Sequence, residues 1–301
     1  MNAKWTDRPC PLCGSTDRSR VFATSNVDLA ALDDFAFASR KLPEYMHPRL
    51  IECGGCGILY GSPVLSQDTL ETAYECADFD SGGEARYASI TYAAHARRIA
   101  PRLPDLRGAL DIGTGDGAFL EALLQLGFRD VEGVELSKAP VAAAKTHIRP
   151  LIRVGAFRGS DFPGGSFSLV SCFQTMEHVP DPLGTARAAY GLLKPGGAFL
   201  MAVHNRKSAS ARLLGRRSPI FDVEHLQLFC PATARLLLKR AGFRTVLVAT
   251  LWNRYPIHYW TKLLPLPNRI KRPLLARLRR SRLGLASLTL PPGNLICFGF
   301  K

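Results

Sequence analysis

The segment Ala109-Leu-Asp111-Ile-Gly113-Thr-Gly115-Asp-Gly117 leaves this chain few folds to choose from. It reads as an apolar strand that breaks into a turn with glycine at every second position and enters a helix. Such strand–turn–helix units build a mostly parallel sheet covered by helices on both faces. The pattern repeats to the end of the chain. Strands are expected near 109–112, 131–135, 151–154, 168–173, 197–203, 245–251 and 294–300, with helices at 117–127, 138–147, 182–193 and 231–241. Gly242 directly after the leucine-rich run is a helix stop. The expected fold class is therefore α/β, a seven-stranded Rossmann-like doubly wound sheet.

A glycine-rich strand–helix turn leaves backbone open to a ligand because no Cβ stands in the way. The spacing here is DxGxGxG, whereas a pyrophosphate binder uses GxGxxG and a helix N-terminus. Asp111 and Asp116 would repel a pyrophosphate and suit a cationic ligand. Twenty-four positions after Asp111, the run Val131-Glu-Gly-Val-Glu135 ends in an acid. A carboxylate at the end of the second strand can accept both hydroxyls of a ribose.

With 301 residues the chain is about twice the ~150-residue expectation for one domain, which leaves room for a second module. Its 47 % hydrophobic and 21 % charged composition excludes whole-chain disorder. Four of the eight cysteines are paired, Cys10 with Cys13 in CPLCG and Cys53 with Cys56 in CGGCG. Two such knuckles supply the four thiolates of a closed, structural zinc site. The remaining cysteines, at 76, 172, 230 and 297, read as small buried hydrophobes. A zinc-ribbon-like module is expected over 1–63, and a tyrosine-bearing helical linker or cap over 64–107, with Tyr74, Tyr87 and Tyr92. The α/β domain is expected over 108–301, with Phe119, Phe167 and Phe199 in its core.

The formal charge of +14 is unevenly placed. Residues 251–301 hold ten Lys or Arg and no Asp or Glu, so the first 250 residues carry only +4. A local anionic partner is implied, either membrane surface or nucleic acid. Within an insertion at 253–293, Leu274, Leu275 and Leu278 share a helical side among arginines, after Trp252, Tyr255, Tyr259 and Trp260. This composition fits a segment lying in a membrane interface, or a solvated helix packed on the sheet. The first ten residues lack the apolar run of a signal peptide, and Gly284, Pro291, Pro292 and Gly293 interrupt the longest uncharged stretch. No spanning helix is expected, and a cytoplasmic location, possible at the inner membrane face, follows.

Taken together, the glycine turn, Glu135, Phe162-Pro-Gly-Gly-Ser-Phe-Ser-Leu-Val170, Met176-Glu-His-Val-Pro-Asp-Pro182 and Leu192-Leu-Lys-Pro-Gly-Gly197 resemble the class I S-adenosylmethionine-dependent methyltransferases. The two cysteine knuckles, Ala211-Arg-Leu-Leu-Gly-Arg-Arg217, Glu224-His-Leu-Gln-Leu-Phe229 and Ala241-Gly-Phe243 resemble a bacterial subgroup with an N-terminal zinc ribbon. The resemblance implies a terminal antiparallel hairpin in the sheet, S-adenosyl-L-methionine as methyl donor, and a sugar, glycan or lipid-linked acceptor. It also implies that Asp111, Gly113, Gly115 and Gly117 surround the methionine part of the cofactor, that Glu135 holds the ribose and that Leu136 packs on the adenine edge. Ala156 and Ser168 stand where the family commonly has acids.

An oxygen or nitrogen acceptor must lose a proton, and histidine is the side chain best poised to take it near neutral pH. His178 and His225 are the candidate bases, with His204 third; Glu177 is expected to cap or pair with a local donor. Two other classes remain at this level: an RNA methyltransferase, and a zinc-bearing scaffold with a degenerate methyltransferase fold. Ser171-Cys-Phe-Gln-Thr175 lacks the Asn-Pro-Pro-Tyr type of sequence that amino-methylating nucleic-acid enzymes use, and the glycines with Glu135 speak against degeneracy.

Overall fold

A computed structural model describes residues 5–16, 19–28, 45–75, 77, 82–264 and 266–301. Cys76, one of the single cysteines, and residues 29–44 between the two knuckles lie outside that set. The N-terminal part contains β1 (Trp5–Thr6), β2 (Arg20–Ala23), β3 (Leu50–Glu52), β4 (Leu59–Gly61) and β5 (Val64–Leu65), followed by α1 (Gln67–Glu75) and α2 (Gly82–Ile99). Next come β6 (Arg107–Ile112), α3 (Ala118–Gln125), β7 (Arg129–Glu135), α4 (Lys138–Ala143), β8 (Ile152–Val154), β9 (Phe167–Phe173), α5 (Pro182–Leu192) and β10 (Leu193–His204). The chain continues through α6 (Ala209–Leu214), β11 (Gln227–Leu228), α7 (Pro231–Ala241), β12 (Thr245–Pro256), α8 (Ile257–Leu263), α9 (Asn268–Arg279), α10 (Arg282–Leu285) and β13 (Ser287–Phe300).

Seven strands form one sheet in the order β12-β13-β10-β9-β6-β7-β8. The β6, β7, β8, β9 and β10 strands run parallel, while β13 lies antiparallel between β10 and β12. This is the expected Rossmann-like sheet with its terminal hairpin. Side chains alternate across it with the strand period of two. Leu110, Ile112, Phe199 and Met201 join one core with α5 and α7; Ala109, Leu169, Leu200 and Ala202 join the other with α2 and α3. Phe119, Phe167 and Phe199 are all buried, as are the single cysteines Cys172, Cys230 and Cys297.

Three elements differ in length from expectation in ways that bear on the site. The helix expected at 138–147 ends at Ala143, because Ala144 turns extended and the Arg149 guanidinium bonds the freed carbonyls of Ala142 and Ala144 at 2.7 and 3.2 Å. The last two strands run longer than 245–251 and 294–300, since Asn253, Arg254, Tyr255 and Pro256 pair with Leu290, Thr289, Leu288 and Ser287. The insertion therefore stands on an extended hairpin.

The cysteine module is built into the rest of the chain. Its sheet has the order β11-β4-β3-β2, and β11 comes from residues just before α7. Cys10, Leu12, Cys53, Ile58 and Tyr60 share a core with α5, α7 and the large sheet. Arg8 is one of the ties between them. It donates to Gly61 O at 3.0 Å, Pro180 O at 3.2 Å, Gln227 Oε1 at 3.0 Å and also to Leu226 O. Burial pushes its pKa down to about 10, so the guanidinium still carries its charge.

Replacing Arg8 with alanine leaves several carbonyls without a donor. A loss of about 2–4 kcal/mol in chemical denaturation is expected. Arg8→Lys, which keeps the charge but not the fork, should recover less than half of it. Wild-type stability in both variants would show that the module is not held through this residue.

Candidate active site

The site opens where the chain reverses direction across the sheet, with β6 followed by β7 on one side and by β9 on the other. Such a switch point leaves a crevice at the carboxyl ends of the strands. Gly113, Gly115 and Gly117 have φ of +75°, +61° and +73°, the left-handed region that favours glycine. A Cβ on Gly113 would fall 2.3 Å from Thr175 Oγ1, and one on Gly117 would fall 2.4 Å from Ile148 Cγ2. The turn is thus locked between the loop after β9 and the segment before β8. Above Gly115 there is open space.

Asp111, 3 % exposed on β6, accepts a 2.6 Å hydrogen bond from Ser171 Oγ on the neighbouring β9. Burial, opposed by that bond and aided by Glu135, pushes its pKa up to about 6. The Glu135 carboxylate accepts from Gly115 N at 2.8 Å and Ser137 N at 2.9 Å, and burial raises its pKa against those two bonds. Leu136, Ala156 and Phe157 line the same wall. Ser168 does not belong here. It is fully buried near the start of β9, donating to Asp105 Oδ1 at 2.5 Å and Arg107 O at 2.9 Å, at the opposite end of the strand from the crevice. Its departure from the family pattern bears on packing, not on the crevice.

The three histidines meet. His178 follows β9, His204 ends β10 and His225 precedes β11, and the His225 ring lies 4.9 Å from His178 and 5.0 Å from His204 between centroids. His225 Nδ1 sits 2.8 Å from Ile220 O. A carbonyl can only accept, so in the neutral ring Nδ1 holds the proton and Nε2 keeps its lone pair. His178 Nδ1 lies 2.8 Å from the Tyr74 hydroxyl and 3.7 Å from Glu224 Oε2. His204 Nδ1 contacts Asn294 Oδ1 at 2.9 Å, and burial lowers its pKa.

One cavity of about 980 Å³ joins the glycine turn, Glu135 and all three histidines. Tyr92 on α2 stacks on Phe173 at 3.9 Å and, with Phe119, makes an apolar wall. Tyr74 also lines the cavity, while Tyr87 packs against the core under α2. The insertion contributes Tyr255 and Tyr259, 5 % and 7 % exposed. This corrects the expectation for the four aromatics ahead of the basic helix, because two of them face inward and Trp252 is the exposed one. Gln174 Nε2 and Asn253 Oδ1, both in the cavity wall, are buried with no hydrogen-bond partner among the described residues. Sequence reasoning missed these two and Glu224; only Glu224 carried a signal, as neighbour of His225.

Glu177, fully buried, accepts from His204 N through Oε1, and burial pushes its pKa up to about 8. It is a strut for the loop, as its expected pairing role implies. In the N-terminal module the four paired thiols converge, with Cys10 and Cys56 Sγ 3.5 Å apart and Cys13 and Cys53 Sγ 3.5 Å apart. The hydrogen bond from Cys56 leads in holding the Cys10 thiol down at about 5, against burial and with help from the Leu12 and Cys13 N–H groups. Four sulfurs within 4.8 Å of one another match a tetrahedral metal site.

The profile of the methyltransferase domain family matches residues 85–248, more than half of the chain. The chain belongs to that family. The chain is similar to the ubiquinone biosynthesis O-methyltransferase of Pseudomonas aeruginosa strain UCBPP-PA14, 36 % identical over 103 residues that cover 32 % of this chain and 44 % of that one. The protein of the same name from Methylococcus capsulatus is 37 % identical over 131 residues, covering 42 % and 53 %. The chain thus spans about half the length of the curated relatives it matches. Among solved structures, the YcgJ protein of Bacillus subtilis superposes with a TM-score of 0.50 at 16 % identity, covering 69 % of this chain and 97 % of that one, which shows the fold alone. Those relatives are named as O-methyltransferases of ubiquinone biosynthesis, and the expected sugar, glycan or lipid-linked acceptor finds no support in their names. Among the described residues no helix is long and apolar enough to cross a membrane.

Glu177 ties stability of the methyltransferase to pH. Between about 4.5 and about 8 the folded protein holds a proton that the unfolded chain releases, so stability falls as pH rises through that window. Glu177→Gln keeps an oxygen for the His204 N–H and removes the titration. Its melting temperature should decline less between about pH 5 and pH 8, each recovered kcal/mol being worth roughly 2–4 °C. Parallel curves for the two proteins would acquit Glu177.

Proposed function

We propose that the protein transfers the methyl group of S-adenosylmethionine to a hydroxyl of a small-molecule acceptor, with His225 as the general base. The observation that carries this reading is the single cavity shared by an acidic, glycine-floored half and a three-histidine half. The acidic half fits the cofactor. Asp111 and Glu135 favour a cationic ligand, Gly115 leaves room for it, and the Glu135 carboxylate is held at the rim by Gly115 and Ser137. Gly113 and Gly117 fix the turn, and Leu136 with Ala156 and Phe157 offers an apolar seat for the adenine.

When bound, the cofactor supplies a methyl group already activated by its sulfonium. The chain then has to hold the acceptor oxygen in line and take its proton. His225 is preferred because the Ile220 carbonyl fixes its tautomer with Nε2 unprotonated. His178, held between Tyr74 and Glu224, is the second candidate and orients the group beside it. Gln174 and Asn253 are buried amides available for the acceptor's polar groups, and Tyr92 with Phe173 supplies an apolar surface. The O-methyltransferase names of the relatives support an oxygen acceptor.

For the cysteine cluster we propose a structural zinc held by Cys10, Cys13, Cys53 and Cys56. All four sulfurs are spoken for and the site lies apart from the cavity, so its work is to fold the module onto β11. Metal analysis of the purified protein should return one zinc per chain, and stripping it should lower the melting temperature. A metal-free protein of equal stability would remove zinc from the account.

Calorimetric titration with S-adenosylmethionine and, separately, with NAD tests the cofactor half: micromolar binding to the first alone is expected. Glu135→Ala should weaken that binding at least tenfold, the equivalent of about 1.4 kcal/mol from lost ribose contacts. Unchanged affinity would remove Glu135 from the site. His225→Ala should keep the affinity and lower kcat by roughly 10²–10⁴-fold, with a smaller loss for His178→Ala. The reverse ranking would move the base to His178.

A further inference from the structure

We propose that the insertion between β12 and β13 is a docking surface for an anionic lipid bilayer, and that it sets the mouth of the cavity at the headgroup level. Fifteen large hydrophobic side chains are exposed among the described residues, and seven of them fall between positions 264 and 290. Leu264, Ile270, Leu283, Leu285 and Leu288 are 50 %, 50 %, 66 %, 52 % and 45 % exposed. Leaving that much apolar surface in water within one short segment is unfavourable unless something covers it. The charge beside it says what. Arg269, Arg272, Arg277, Arg279, Arg280 and Arg282 are all exposed, and residues 251–301 contain no acid.

Leucine beside arginine is the composition of a segment lying in a membrane interface, where side chains enter the acyl region and guanidinium groups meet lipid phosphate. Nucleic acid would use the arginines but leave the leucines wet. A second copy would set six arginines against six. Ile270 and Leu274, one turn apart on α9, share a helix face. The surface is continuous with the active site, because Leu264 and Leu290 are at once exposed and part of the cavity wall. Trp260 fastens this rim by donating to Leu288 O at 2.9 Å. An acceptor could thus pass between bilayer and cavity without crossing water. That consequence rests on the methyl-transfer reading; the docking does not.

The test uses the full chain and two vesicle types, phosphatidylcholine alone and phosphatidylcholine mixed with phosphatidylglycerol, in a co-sedimentation assay. Binding to the anionic vesicles only, weakened by added salt, is expected. Leu283→Glu/Leu285→Glu and, separately, Arg277→Glu/Arg279→Glu/Arg280→Glu should each lower it at least tenfold. Failure to bind anionic vesicles, equal binding to both types, or full binding by both variants overturns the proposal. So does a dimer that the leucine variant converts to monomer, or tighter binding to a duplex RNA than to vesicles. S-adenosylmethionine titration of the same samples keeps the two readings apart. Intact cofactor affinity without vesicle binding sinks the docking surface alone, and vesicle binding without cofactor affinity sinks the cofactor site alone.

Discussion

Glu177 sits where four parts of the chain meet, and the acceptor side of the cavity depends on it. Its carboxyl holds the backbone of His204 at the end of β10, and its carbonyl accepts from Leu226 N at 2.8 Å and Gln227 N at 3.3 Å. Gln227 returns the connection by donating to Met176 O at 2.6 Å and Val179 O at 2.9 Å. The loop that carries His225 is therefore fastened to the loop that carries His178, and both to the strand that ends in His204. An ionised carboxylate in that position would be costly to bury; a group pushed up to about 8 stays mostly neutral near pH 7 and avoids that cost. The same segment then receives Arg8, so the cysteine module braces the histidine loop from behind.

The opposite half of the cavity is fixed by backbone instead. Three left-handed glycines bring the turn against Thr175 and Ile148, and Gly115 N is spent on Glu135 rather than on a phosphate. That choice of partner separates this turn from a pyrophosphate site, where the same N–H groups would face the ligand. Burial raises the cost of ionising both Asp111 and Glu135, and Glu135 adds to it at Asp111; a cation beside them would offset that cost. The two halves thus have opposite electrostatic demands. One presents two carboxyl groups to the cavity, and the other presents three imidazoles.

What could be read from the sequence follows from how local the signal is. The glycine turn, the strand endings near Asp111 and Glu135, and the helix start at Pro182 are each signalled by residues within a few positions, and the structure keeps them where the pattern puts them. The His178, His204 and His225 cluster was legible as candidates but not as a cluster. Their meeting depends on β10 pairing beside β9 and on the loop before β11 folding back to Glu177. Gln174 and Asn253 gave no signal of their own, because each reaches the cavity through a tertiary contact with no spacing rule. β11 was invisible for a similar reason. Two residues far from the cysteine module complete its sheet.

The insertion shows how one stretch of sequence can answer two demands. In the sequence its amphipathic run puts aromatics and leucines on the same footing. The extended β12–β13 hairpin divides them. Tyr255 is buried in the cavity wall, while Leu288, its partner across the hairpin, stays 45 % exposed. A shorter hairpin would end near Leu251 and Asn294, and the cavity would lose the wall made by Asn253, Tyr255 and Tyr259. The segment that walls the cavity is therefore also the one that presents leucine and arginine outward. Any force that seats its outer face acts directly on the mouth through which an acceptor must pass.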